Sequence, residues 1–323
     1  MSPPGRPKGE YRSAQHEGSP VSPPGRPKGE YRSAQHEGSP MSDVGSPFVD
    51  TRALLQAVGL PGDLPPAVVA SIERATGIRA LGGLCRSVGI TRANRDVADQ
   101  VRKLFAAADI GYTIARAQGA RGVDTRPREH GPVIFYGNHP FGIADALMGL
   151  ALALSYRQDI KVLANNVLGA LDINRDRLIW IDPFDGESRS SANRRGLRET
   201  LRHLRSGGSL LMFPAGACSH LQLRRARIAD PPWTPHLARL VDASGAAVVP
   251  IHFEGRNSWT FQIAGVIHPM LRTVLLLREF LGLSGRALRV TEGGCQAPPI
   301  AGPPTQRSDW LRAAVYALPA SAP

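Results

Sequence analysis

The chain has 323 residues, 42% of them hydrophobic, enough to bury one sizeable core. No stretch approaches the roughly 18 to 20 uninterrupted apolar residues that a membrane-spanning helix needs, and the start of the chain lacks the apolar run of a secretory signal, so a cytoplasmic origin is expected. The formal net charge of +12 is carried mostly by arginine and suits an anionic partner, but no basic stripe interleaved with aromatics accompanies it, so nucleic acid is not expected as that partner.

Along the chain, Ser2 to Pro20 recurs identically as Ser22 to Pro40. A tail of this Pro, Gly and Ser composition cannot bury a core, so residues 1–40 are expected to be disordered, with Met41 as a plausible true start. The tail holds six Lys and Arg against four Glu and is not the source of the positive charge. Residues 41–122 read as a helical region, with apolar spacing in Leu54, Leu55 and Val58, in Val68, Val69 and Ile72, and in Val97, Val101, Leu104 and Phe105. Asn94 is the expected cap of the last of these helices, and Pro65 and Pro66 open the second.

From 123 to 323 short apolar runs alternate with helical stretches, which predicts an α/β domain, a mixed sheet flanked by helices. Strands are expected at Val133 to Gly137, Lys161 to Ala164, Leu178 to Ile181, Ser209 to Phe213, Ala247 to Phe253 and Ala287 to Val290. Helices are expected at Ala144 to Tyr156, Ser191 to Arg205, Pro235 to Ala243 and Met270 to Leu281. Chemistry in open α/β sheets lies at the carboxyl ends of strands, which is where reactive groups are sought.

The segment after the first of these strands runs from Tyr136 through Asn138, His139, Pro140 and Gly142 to Asp145. Pro140 biases His139 toward an extended backbone, and Gly142 permits the chain to turn before a helix begins. Asp145, in the first helical turn, can then swing back to one imidazole nitrogen, fix its tautomer and raise its basicity. A histidine that merely caps the helix is the alternative. Backbone N–H groups at Gly216 and its neighbours are candidate oxyanion donors, with a ligand-free turn as the alternative. Arg256 and Asn257 follow another strand and are candidates for a head group or donor phosphates, with Glu254 placed to orient Arg256. Cys218 stands in a strand-end loop where a nucleophile is conceivable, but a His–Asp pair already supplies a direct route. Three cysteines without a CxxC pair and nine scattered histidines predict neither disulfides nor a metal site.

Three blocks, Asn138 to Asp145, Phe213-Pro214-Ala215-Gly216-Ala217-Cys218-Ser219, and Val249 to Ser258, occur in the order and spacing of the glycerolipid and lysophospholipid acyltransferase superfamily. More narrowly, the chain resembles the hemolysin-like branch that includes ornithine-lipid acyltransferases. Ile181-Asp182-Pro183-Phe184-Asp185 and His268 to Thr273 add to the likeness, which covers about Gly131 to Arg289. Five residues separate His139 from Asp145 where the superfamily usually has four, and this variant resembles the hemolysin-like branch. Ala215 and Cys218 stand where many members carry Glu and Arg that hold a glycerol phosphate, which weakens lysophosphatidic acid as the acceptor.

The resemblance implies transfer of an acyl group from acyl-CoA or acyl-carrier protein, as co-substrate and without a bound cofactor, to a lysolipid hydroxyl. His139 and Asp145 would be catalytic, while Phe213, Pro214, Gly216, Ser219, Glu254, Gly255, Arg256 and Asn257 would hold substrate. Diffuse arginines, among them Arg194, Arg198, Arg202, Arg224 and Arg227, suit membrane lipids as partners and a peripheral place on the cytoplasmic face of the cell membrane. A lipid-binding protein of the same fold with an idle site is the rival reading.

Overall fold

The computed structural model describes residues 63–90, 96–117, 126–127, 129–164, 175–181, 191–297 and 302–318. The tandem repeat, the segment containing Leu54, Leu55 and Val58, Asn94, and the block from Asp182 to Asp185 lie outside these residues. Three helices come first: α1 (Pro66–Thr76), α2 (Ile78–Ser87) and α3 (Val97–Ala107). There follow β1 (Gly111–Arg116), β2 (Val133–Gly137), α4 (Ile143–Leu154), β3 (Lys161–Ala164), β4 (Leu178–Trp180), α5 (Ser191–Arg205) and β5 (Ser209–Met212). A short antiparallel pair, β6 (His220–Gln222) and β7 (Arg227–Ala229), precedes α6 (His236–Ser244) and β8 (Ala247–Glu254). The chain continues through α7 (Trp259–Ile267), α8 (Pro269–Leu281), β9 (Ala287–Glu292) and α9 (Pro304–Tyr316).

Seven strands form one mixed sheet in the order β1-β9-β8-β2-β5-β3-β4, in which β8 and β9 are antiparallel and every other neighbouring pair is parallel. Central strands of such a sheet are covered on both faces, and β2 and β5 are accordingly buried at every position. Side chains alternate between faces: Val133 and Phe135 join the core that includes Ile78, Val101, Leu147 and Phe280, whereas Ile134 and Tyr136 join Trp233, Leu237, Leu240 and Leu311. Helix α4 is apolar all round and lies inside the first core, and Asp145 is its lone charged residue.

The α1–α3 stretch is part of this same body. Phe105 of α3 packs edge-on against Tyr112 of β1 and Phe280 of α8, at 5.2 and 5.6 Å between ring centroids. β1 itself, inside the stretch read as helical, pairs with β9 as the sheet's edge. The helices before residue 122 and the sheet after it share one core. β1 escapes a pattern reading because an edge strand with four exposed positions has no clean alternation. The β6–β7 pair, α7 and α9 likewise have no counterpart in the sequence reading. Asp96 caps α3, its Oδ1 accepting the Asp99 N–H at 2.9 Å, two residues beyond the expected Asn94.

Candidate active site

The sheet order places three sequence-distant blocks side by side. β2 lies between β8 and β5 and parallel to both, so the segments leaving their carboxyl ends, at Asn138, Gly255 and Phe213, converge on one edge. Asn138 ties two of them together: its Nδ2 donates to the Phe253 carbonyl at 2.9 Å and its Oδ1 accepts the Phe253 N–H at 2.8 Å.

His139 Nδ1 faces Asp145 Oδ2 at 3.1 Å, a close ionic contact not yet aligned as a hydrogen bond. Catalytic contacts often tighten only when substrate is bound. The same Oδ2 accepts the N–H groups of Phe141 and Gly142, both at 2.8 Å. Asp145 thus caps α4 and faces the imidazole together; the carboxylate, not the histidine, is the cap. The His139 ring stacks on Phe213, with centroids 4.1 Å apart, and keeps 15% of its side chain accessible while Asp145 has none. Burial pulls the imidazole down, but the Cys218 sulfur and then the Asp145 carboxylate outweigh it and leave His139 above its ordinary range. Burial pushes the Asp145 carboxyl up, against the pull of His139 and the two amides.

Asp230, which sequence reasoning missed, organises the loop from beneath. Its Oδ1 accepts the His139 N–H at 3.2 Å and the Ser219 hydroxyl at 2.5 Å, and its Oδ2 accepts the Trp233 indole N–H at 2.9 Å. Ser219 also donates its N–H to the His139 carbonyl at 2.7 Å. Ser219, expected from the sequence to hold substrate, is buried, and both its donors are used in positioning the His139 loop. Only its place three residues before a tryptophan could have flagged Asp230. Asp230→Ala leaves three buried donors without an acceptor, and a loss of roughly 3 kcal/mol or more is expected in a denaturant titration.

The remaining expected site residues divide. Phe213 forms the wall behind the imidazole, and the Pro214 carbonyl accepts the Thr234 N–H at 3.4 Å. The Gly216 N–H donates to the Phe213 carbonyl at 3.0 Å, closing a turn, which removes it as an oxyanion donor. Gly255, at φ +128°, gives room to Phe141: a β-carbon there would lie 2.4 Å from its Cζ. Gly255 is therefore a packing requirement and not a substrate contact, and Gly255→Ala is expected to cost about 2 kcal/mol or more in a melting experiment. Asn257 is buried, with Nδ2 3.4 Å from the Phe141 carbonyl, so it braces the loop, while its Oδ1 has no hydrogen-bond partner among the described residues. Glu254 stands 4.0 Å from Arg289, while the Arg256 guanidinium lies over the Trp259 ring at 4.9 Å. Arg256 lines a cavity of about 230 Å³ with Arg278 and Arg286.

Cys218 sits closer to the chemistry than its sequence context suggested. Its sulfur lies against the Gly142 α-carbon and beside the His139 ring, where a β-carbon at position 142 would also strike Leu276 of α8. The imidazole of His139, partly accessible, and the Cys218 sulfur that contacts it thus meet beside Gly142 and Leu276. Such a site can take a proton from a hydroxyl and hold an acyl chain. Among the described residues no three His, Cys, Asp or Glu side chains converge as metal ligands.

Residues 102–288, more than half of the chain, match the family model described as Acyltransferase. Lyso-glycine lipid O-acyltransferases of Phocaeicola vulgatus and Bacteroides thetaiotaomicron are 31% and 30% identical to it over 139 residues. Those residues are 43% of this chain and 47% and 48% of the relatives, so the chain spans about half the length of the curated relatives it matches. The crystal structure of the 1-acyl-sn-glycerophosphate acyltransferase PlsC from Thermotoga maritima aligns with a TM-score of 0.40 at 12% identity, covering 82% of this chain and 94% of that one.

Proposed function

The chain belongs to the acyltransferase family, and from that premise we propose that it moves a fatty acyl group from a thioester, acyl-CoA or acyl-carrier protein, onto the hydroxyl of a lysolipid. The observation that carries this reading is the His139–Asp145 pair at the carboxyl end of β2, partly open on the imidazole side and closed on the carboxylate side. With Nδ1 turned to Asp145, Nε2 is left to accept the proton of the acceptor hydroxyl. That oxygen attacks the thioester carbonyl, and the resulting tetrahedral oxyanion collapses to the ester. The thiolate leaves and takes back the proton held on the imidazolium. An imidazole in this role contributes about 10² to 10⁴ in rate.

The acceptor is drawn from lyso-ornithine lipid, lyso-glycine lipid and lysophospholipids. The names of the two curated relatives bring lyso-glycine lipid into this set. The absence of the Glu and Arg expected of a glycerol phosphate site, replaced by Ala215 and Cys218, argues for acceptors other than lysophosphatidic acid. Acting on such acceptors, the protein would work peripherally at a membrane, on its cytoplasmic face; among the described residues no helix is long and apolar enough to cross one. The reading is tested with labelled acyl thioester and a panel of these lysolipids. Labelled diacyl product from an amino-acid-headed acceptor supports it, and hydrolysis without transfer on any acceptor removes it.

The proximity of Cys218 to His139 raises a covalent route, in which the thiolate first takes the acyl group. Direct attack needs no such step, so Cys218→Ala is expected to keep most of its activity. A folded Cys218→Ala protein without activity, together with an acyl-cysteine seen by mass spectrometry in the parent, would move the chemistry to the thiol.

A further inference from the structure

Helix α7 carries no charged residue, yet it is not an interior helix. Trp259, Ile263, Val266 and Ile267 are 55%, 57%, 47% and 74% exposed. At about 100° per residue these four fall on one arc of about 100°, while Phe261, Gln262 and Gly265 on the other side are buried. Leu271, at the start of α8, is exposed beside them. The apolar stripe is held rigidly. Ser258 caps α7 and both its N–H and its hydroxyl donate to Glu279 of α8 at 2.7 Å, and Gln262 accepts the Leu221 N–H at 2.8 Å. Gly265 is seated on the aliphatic stem of Arg272.

Cations gather at one end of the stripe. Arg256 lies over the Trp259 ring and shares its cavity with Arg278 and Arg286. All three are exposed, and none forms an ion pair with a described residue; the single carboxylate of the cavity, Glu279, is occupied by Ser258. Helices α2 and α3, by contrast, turn Ile78, Leu81, Val101, Leu104 and Phe105 into the core.

We propose that the α7–α8 hairpin is the membrane-docking element of this protein, inserting the α7 stripe among acyl chains of an anionic lipid surface while Arg256, Arg278 and Arg286 meet lipid phosphates. Charge complementarity selects this occupant over a protein groove. Apolar side chains with a tryptophan at the rim and, beside it, arginines without an ion pair among the described residues are the composition of an interfacial helix. The hairpin also borders the chemistry, since Leu276 of α8 touches the Gly142 turn next to His139. Docking there opens the site toward the layer from which a lysolipid would arrive. This last link rests on the proposed acyl transfer; the docking does not.

The test uses the full chain and vesicles of phosphatidylcholine with and without phosphatidylglycerol. Binding to the anionic vesicles is expected to weaken as salt rises, and Arg278→Ala and Arg286→Ala to lower it about fivefold each. Ile263→Gln with Ile267→Gln is expected to lower it about tenfold or more, with an unchanged melting curve. Brominated lipid should quench the tryptophan fluorescence of the parent and not that of Trp259→Phe. Transfer by the Ile263/Ile267 variant to a monomeric short-chain lysolipid should match the parent. If the parent binds vesicles through the hairpin yet transfers to no acceptor, docking stands and the acyl-transfer reading fails. If binding is indifferent to these substitutions, docking fails by itself. A parent dimer in sedimentation that the Ile263/Ile267 variant breaks would overturn docking in favour of a second copy of the chain on this face.

Discussion

His139→Ala is expected to lose acyl transfer to every lysolipid by about 10² to 10⁴ or more while keeping its fold. A lipid hydroxyl is far too weak an acid to attack a thioester unaided near neutral pH, so the proposed base would act on the attack itself. The structural loss is small by comparison. The ring stacks on Phe213 at a partly open site, and the backbone of residue 139 keeps its two bonds, to Asp230 and from Ser219, whatever the side chain. A melting curve close to that of the parent, next to a lost rate, separates a catalytic role from a packing one. Partial rescue by added imidazole, which fits the space left by the ring, is expected of the alanine variant alone.

Asp145→Asn is expected to lower the rate by on the order of 10²-fold, less than loss of the imidazole itself. The amide oxygen can still cap α4 by accepting the Phe141 and Gly142 N–H groups, so the loop holds. What disappears is the negative charge 3.1 Å from Nδ1. The pH profile carries a signature that a merely structural role would lack. In the proposed mechanism neutral imidazole is the active form, and His139 is held above its ordinary range, so kcat/KM in the parent should rise with pH through that raised value. With the carboxylate gone the acidic limb should move to lower pH by about one unit or more. The sign for stability is opposite. A histidine raised in the folded state stabilises fully below its unfolded pKa, and that contribution fades as pH rises through the folded value. The parent should therefore lose part of its advantage over Asp145→Asn toward alkaline pH. A limb that stays in place in the Asn variant would assign Asp145 to helix capping alone.

The strand–turn–helix around His139 was legible because its parts are local. A proline after His139, a glycine before the helix and a carboxylate in its first turn specify a strand–turn–helix whatever lies around them, and β2 and α4 follow that pattern. The long-range partners were not legible. Asp230 sits 91 residues from His139 and carries no motif of its own; its role exists only because β5 and β2 are neighbours. The same reason turns Ser219, Gly255 and Asn257 from expected ligands into supports. A motif reports that residues belong to one site without saying which of them face the open side. β1 and α7 were missed for a different cause. An edge strand and an interfacial helix each expose apolar positions, so their patterns contradict the inside-outside rule on which the sequence reading depends.

The most direct measurement of the central claim is made on the parent and His139→Ala side by side, with an acyl thioester labelled in the acyl carbonyl, lyso-ornithine and lyso-glycine lipid as acceptors, and a melting curve for each protein. Labelled ester is expected on the acceptor hydroxyl with the parent and none above background with a fully folded His139→Ala. A folded His139→Ala protein that still forms the labelled ester at the parent's rate would contradict that claim.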